Sequence, residues 1–440
     1  MTNTYLTNIT PDSFSGLLFG FEGIKHTVVL MNGPTGCKFY HSATSDNQSL
    51  RQMEFDPLNY PELWYFGQPR IPCTYLDKRD YVYGSKEKLT EAIKFLQDTL
   101  RFDLLVIVNS PGAALIGDDL QRIASTEIGD IPVITVETPG YSNHIWDGYS
   151  DACLRILNKF ITKRIGPSVS RSPSPIKKVN ILGLSIFHKY FQGDILEIKR
   201  LLSLCGIEVG CILCCECTID EIRQIPNADL NLVLDADYGL LSAQYLKEQY
   251  NMPYLECTDG LPIGFSAVER WIQDICCTLN LSSEKFITES EKARARAYIY
   301  LSRLNSLTGL PKGTAFAIHG TAAQCLSYTK FFVQYFGMTA DSISIPAATQ
   351  YDSSDVKELR RFLRQHKMEN AMDKYILHTD GKLVFADGNI IAKLKAHHHS
   401  FCGIEIGLPS LGYIDVIPKT HLGLSGSLLL CEQVINGMEF

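Results

Sequence analysis

Fourteen cysteines are spread unevenly over a chain of 440 residues. The densest group is Cys211, Cys214, Cys215 and Cys217, a C-x-x-C-C-x-C run. A different arrangement is the single cysteine of Gly33-Pro34-Thr35-Gly36-Cys37. Thiolates suit iron–sulfur clusters, whose potential is tuned by burial and by backbone N–H groups around the sulfurs. Gly33 and Gly36 flank Cys37, so the main chain can come close to a bulky inorganic core there. Cys37 is therefore one candidate ligand, weighed against an ordinary buried loop thiol. In the C-x-x-C-C-x-C run the spacing invites a metal reading, with Cys215 and Cys217 at the strand's C-terminal end as the weaker candidates. Side chains alternate faces along a strand, so four thiols from one strand meet at one ion only if the chain bends. Packing as small apolar residues is the competing reading of this run. It is also the expected one for Cys205, Cys276, Cys277 and Cys431, which sit inside apolar runs.

Other polar residues fall where a crevice would open. His188 and Lys189 follow one strand-like segment and His319 follows another. Asp118 and Asp119 precede a helical pattern and are read as capping and turn-holding residues. His397-His398-His399 is read as a solvated loop.

The elements that must position these residues alternate between short apolar runs and amphipathic stretches. Thr27–Met31, Leu104–Asn109 and Val133–Val136 read as strands, with helical patterns such as Lys86–Leu100 between them. Further strands are expected at Lys178–Leu182, Glu208–Cys214, Leu230–Leu234, Thr314–Ile318 and Leu383–Phe385. This rhythm predicts an α/β fold of three Rossmann-like domains with parallel sheets, and ligands are expected in crevices at the strands' carboxyl ends. The expected domains are residues 1–175, 178–285 and 310–440, with a linking helix over 284–309. Ser168–Lys178, rich in Ser, Pro and basic residues, reads as an exposed linker. No dinucleotide fingerprint or Walker lysine loop follows any strand, so the chain is not expected to bind a dinucleotide or hydrolyse ATP itself.

Composition narrows the function classes. The net charge is −7 with no basic block, which argues against nucleic acid as a partner. No apolar run approaches the roughly 20 residues needed to cross a bilayer, and no signal-peptide core opens the chain. A cytoplasmic location is expected, where thiols stay reduced and a disulfide framework is not formed. So many thiols fit a metal-handling protein or an anaerobe.

Taken in order along the chain, several motifs resemble the nitrogenase component 1 superfamily. They are Gly33–Cys37, Leu76–Gly84 continuing into Glu87-Lys88-Leu89, Leu115–Asp119, and Val136–Tyr141. Downstream come Asn180–Gly183 with Gly193-Asp194, Leu261–Gly264, and Gly407–Pro409 followed by His421–Gly426. The resemblance implies a subunit of a two-component reductase. An ATP-dependent iron–sulfur reductase protein would pass low-potential electrons to a cluster shared with a homologous component 1 subunit, in a hetero- or homo-oligomer. A substrate or cofactor would sit in the cavity between the domains. Gly33, Gly36, Cys37 and Cys73 would form the cluster site, with Cys37 and Cys73 as metal ligands.

Departures from the family pattern refine this. Relatives with an eight-iron cluster resemble one another in carrying a cysteine some way before the glycine-flanked loop, whereas Asn8–Gly23 holds none. Pro111 stands where they have another. A 4Fe-4S cluster completed by the partner is therefore expected. The cysteine and histidine that hold the catalytic metal cofactor of nitrogenase are also missing: Asp235 takes the place of the first, and Glu405–Pro409 contains no histidine. Dinitrogen is not expected to be reduced by this chain alone. The alternative is a non-catalytic scaffold or carrier subunit for assembling an iron–sulfur cofactor.

Overall fold

The computed structural model describes residues 11–34, 71–137, 143–161, 176–346, 353–397, 400–412 and 415–438. Among them lie three parallel sheets with helices between successive strands. The first sheet has the order β1 (Thr27–Asn32), β2 (Leu104–Asn109), β3 (Val133–Val136). Every residue of β2 is buried, as expected of a parallel strand covered on both faces. The second sheet contains β4 (Lys177–Leu182), β5 (Ile207–Ile212), β6 (Leu230–Val233) and β7 (Tyr254–Glu256), in the order β5-β4-β6-β7. The third contains β8 (Ala315–His319), β9 (Thr339–Ser344), β10 (Leu383–Asp387) and β11 (Cys402–Gly407), in the order β11-β10-β8-β9.

Two of these sheets reverse direction in the middle. The chain leaves β4 for β5, then returns to lay β6 on the opposite side of β4. It likewise leaves β8 for β9 before placing β10 on the other side of β8. The connecting chains diverge at such a reversal, which leaves a crevice at the carboxyl ends of the two central strands. The β4/β6 and β8/β10 ends are therefore where the topology opens binding sites.

The polar residues inside the strands are paired across the sheets. Asn32 donates to Asn109 at 2.8 Å, and Asn180 donates to Asn231 at 2.9 Å. One hydrophobic core runs through all three sheets, including Val29, Ile181 and Phe316. The helices Ser13–Glu22 and Ile145–Phe160 approach so closely that only glycine fits at the crossing. A Cβ at Gly16 would lie 1.8 Å from the Ile145 carbonyl oxygen, and one at Gly148 would lie 1.7 Å from that of Ser13. A 25-residue helix, Glu284–Thr308, runs between the second and third sheets and buries Phe286, Ser290, Ala293, Ala297 and Leu304, an i, i+3/i+4 stripe.

Of the boundaries that differ from the sequence reading, two have a clear physical cause. Most of the expected linker lies outside the described residues, and its last two members, Lys177 and Lys178, already belong to β4. Their pairing with Ile207 and Glu208 claims them for the sheet despite their charge. The strand expected over Glu208–Cys214 ends at Ile212, because the chain turns sharply at the cysteine run.

Candidate functional site

Gly36 and Cys37 lie outside the described residues. Gly33 and Cys73, 40 residues apart, are brought together: the Cys73 thiol donates to the Gly33 carbonyl at 3.1 Å. An isolated parallel bridge pairs Cys73 with Met31, so the cysteine segment extends the first sheet beside β1. A buried polar network fixes this strand end. The Thr74 hydroxyl accepts from the Gly33 N–H at 3.0 Å and donates to Asn32 at 2.8 Å. Asn32 also donates to the Ser85 hydroxyl at 3.1 Å. Asp118 accepts from both the amide and the hydroxyl of Ser85, at 2.5 and 2.8 Å. Asp119 caps Leu120–Ile128 through the Arg122 amide at 2.9 Å. Both aspartates thus do structural work at the first strand end.

The C-x-x-C-C-x-C run does bend. Cys214 and Glu216 take left-handed backbone angles, φ 56° and 55°, just past β5. The bend brings Cys211 against Cys217, and it turns Cys214 toward Cys153 on the helix Ile145–Phe160. The Cys211 thiol is held well above its usual pKa by its hydrogen bond with Cys217 and by burial, and the Cys214 thiol by burial and by Cys153. Burial alone dominates at Cys215. Cys215 and Cys217 are both buried, and among the described residues no group of three or more His, Cys, Asp or Glu could hold a metal ion. Cys153 carried no sequence signal, since one cysteine on the buried face of an amphipathic helix resembles any other core residue.

The two topological crevices meet in one cavity system. At the β4/β6 end, Gly183, Leu184, Leu234 and Asp235 line a recess of about 50 Å³ with Tyr328 and His421. At the β8/β10 end, His319 and Asp387 line a cavity of about 190 Å³ with Trp146, Tyr238, Thr321 and Leu408. His188, Lys189, Gln324 and Ile406 line both. His319 closes β8, and His188 and Lys189 lie in the segment that follows β4, so all three stand at the carboxyl ends of central strands.

The charge state of this lining is set by burial. Burial lowers the His188 pKa to about 4, and its Nδ1 accepts the Ser185 N–H at 2.8 Å. Burial likewise lowers His421 to about 3; its Nδ1 lies 2.6 Å from the Tyr328 hydroxyl. Asp235 is pushed well above the carboxylate range by burial, with the neighbouring Asp237 charge adding to it. Its carboxylate oxygens accept from the Asp237 amide at 3.0 Å and the Thr321 hydroxyl at 3.1 Å, which ties the second sheet to the third. Lys189 is buried but paired, 2.8 Å from Asp415 and 3.8 Å from Glu405. His319 lies 3.5 Å from Asp387 and 3.0 Å from the Ser344 hydroxyl.

Comparison with known proteins agrees with this architecture. The nitrogenase component 1 type oxidoreductase family matches residues 13–439. Similar curated proteins are light-independent protochlorophyllide reductase B subunits. That of Angiopteris evecta is 25% identical over 332 residues, 73% of this chain and 61% of the relative. That of Chaetosphaeridium globosum is 23% identical over 455 residues, 96% and 82% of the two chains. The chain spans about half to three fifths of the length of the first curated relatives it matches. Among solved structures, nitrogenase Cp1 at pH 6.5 superposes with a TM-score of 0.75 at 17% identity, covering 98% of this chain and 92% of that one. At that identity the likeness is one of fold.

Proposed function

Because this chain belongs to the nitrogenase component 1 type oxidoreductase family, we propose that it is one subunit of a two-component reductase. In this reading it takes low-potential electrons from an ATP-dependent iron–sulfur reductase protein and passes them to a compound bound in the cavity between the sheets. In this reading the three sheets would belong to domains over residues 1–175, 178–285 and 310–440, joined by the helix over 284–309. The single observation that carries the reading is the family match along almost the whole chain.

The residues at the first strand end suit an iron–sulfur cluster. Cys73 is a buried thiol at a strand's carboxyl end, beside the glycine that opens the Gly33–Cys37 loop. Cys37 and Cys73 would hold the cluster, and a homologous subunit would supply the remaining thiolates, because a four-iron cluster takes four ligands. Such a cluster stores and relays electrons at low potential. Close by, Val82, Tyr83 and Leu115 are 74%, 82% and 89% exposed. On this reading these side chains would face the reductase protein. A cytoplasmic setting belongs to the same reading, and no helix among the described residues is long and apolar enough to cross a membrane.

The test is anaerobic purification with the co-purifying partner, followed by iron and sulfide analysis and the EPR signal of the dithionite-reduced complex. Cys37→Ala is expected to lose most of the iron and signal, Cys73→Ala an intermediate share, and Cys211→Ala little. Full iron in Cys37→Ala would remove the site assignment. A cluster that forms but accepts no electrons from the reductase protein would favour the scaffold role instead.

A further inference from the structure

The cavity at the β8/β10 end has one wall of rings. Trp146 stacks on His144, with ring centroids 4.6 Å apart, and meets Tyr238 edge-on at 6.3 Å. Tyr238 in turn contacts Phe187 and His188, at 5.2 and 5.0 Å. The facing wall comes from the third sheet and is polar, but its groups are engaged with one another. Gln324 accepts the Thr321 N–H and donates to the Ile406 carbonyl. Thr321 donates to Asp235, and His319 is held between Asp387 and Ser344. A small oxyanion entering here would find these hydrogen bonds already taken.

The lining is also electrically quiet. His188 and His421 are kept uncharged near neutral pH by their burial, and burial pushes Asp235 and Asp387 toward their neutral forms. The Lys189 charge is answered by Asp415 and Glu405, with Lys419 3.0 Å from Asp415 on the far side. A charged ligand would lose its hydration with little in return, whereas a neutral one enters at low cost. The rings offer a flat conjugated ligand a stacking contact that a puckered saturated one of the same area cannot match.

Size sets the last limit. The cavity of about 190 Å³ and its recess of about 50 Å³ suit a compound of one or two fused rings. We propose that the compound received in this cavity is a small, uncharged, planar conjugated molecule that lies against Trp146 and Tyr238. The inference rests on the reading that this cavity holds the compound to be reduced, and it narrows that compound to a class smaller than the pigment named in the curated relatives.

The test is isothermal titration of the full chain with naphthol, with its saturated counterpart decalol, and with inorganic phosphate. Naphthol is expected to bind at one site per chain, at least about ten-fold more tightly than decalol, with no heat from phosphate. Trp146→Leu keeps apolar area but removes the ring, and should weaken naphthol about three- to ten-fold while leaving decalol unchanged. Trp146→Phe should restore most of the affinity. Phe331→Leu, in a separate cavity of about 250 Å³ beside Arg270 and Arg294, should change nothing. Equal binding of naphthol and decalol, no binding of naphthol, or an unaltered Trp146→Leu overturns the proposal. Failure of the electron-transfer reading shows instead as absent iron, a separate measurement.

Discussion

Asp194 offers a direct test of how burial governs charge in the seam between the second and third sheets. It sits in the first turn of the helix Phe191–Leu204, buried, and accepts the Thr420 hydroxyl at 2.6 Å from the far side of the seam. Burial raises its pKa from 3.8 to about 7, against the opposing hydrogen bonds from Thr420 and Leu422 and with the Glu197 charge adding to the rise. Such a rise disfavours the ionised form in the folded protein by about 4 kcal/mol. The sign follows from proton counting: between these two values the folded chain holds a proton that the unfolded chain has released. Stability therefore falls as pH climbs through the window, and by about pH 8 the whole term is lost. About 1.5 kcal/mol of it is already gone at about pH 5, which leaves about 3 kcal/mol to be lost between about pH 5 and 8. Asp194→Asn keeps an acceptor for Thr420 but cannot ionise. Denaturant unfolding of both proteins across this range should show the wild type losing about 3 kcal/mol relative to the variant. Asp237 and Asp355, raised by burial to about 6, titrate in both proteins and cancel in the difference. Parallel stability curves would refute the argument that Asp194 is buried as a neutral acid.

Three further outcomes are expected. Tyr149→Phe removes the hydroxyl that lies 2.9 Å from both the Leu184 and Leu213 carbonyls, and should cost about 1–3 kcal/mol in denaturant unfolding by leaving a buried acceptor unmet. Gly148→Ala places a Cβ 1.7 Å from the Ser13 carbonyl oxygen, so a thermal melt should show a steep loss of stability; a melting temperature equal to wild type would mean the helices cross more loosely than described. Lys189→Met leaves Glu405 beside an apolar chain and Asp415 with Lys419 as its remaining cation, and should destabilise by about 3–5 kcal/mol in chemical denaturation, most of it recovered when Glu405→Gln and Asp415→Asn are added.

The α/β class, the strand positions and the family were legible from the chain itself, because parallel strands buried on both faces read as unbroken apolar runs and their turns carry glycine and proline. Leu104–Asn109 was placed to the residue, and His188, Lys189 and His319 were located near a cavity simply by standing on the carboxyl-terminal side of strands. The capping role of Asp119 was equally local, serving an amide a few residues away. Everything that depends on distance along the chain was not. The pairing of Cys73 with Gly33, of Cys153 with Cys214, and of Asp235 with Thr321 joins residues tens of positions apart, and no spacing rule encodes those meetings. The bend that takes the cysteine run out of its strand needs left-handed angles at Cys214 and Glu216, residues whose types do not announce them. Most of all, the neutrality of His188 and His421 and the raised proton affinity of Asp194 and Asp235 cannot be read from residue type. Sequence supplied titratable groups with ordinary affinities for protons, and only folding, by withdrawing them from water, decided which of them carry charge.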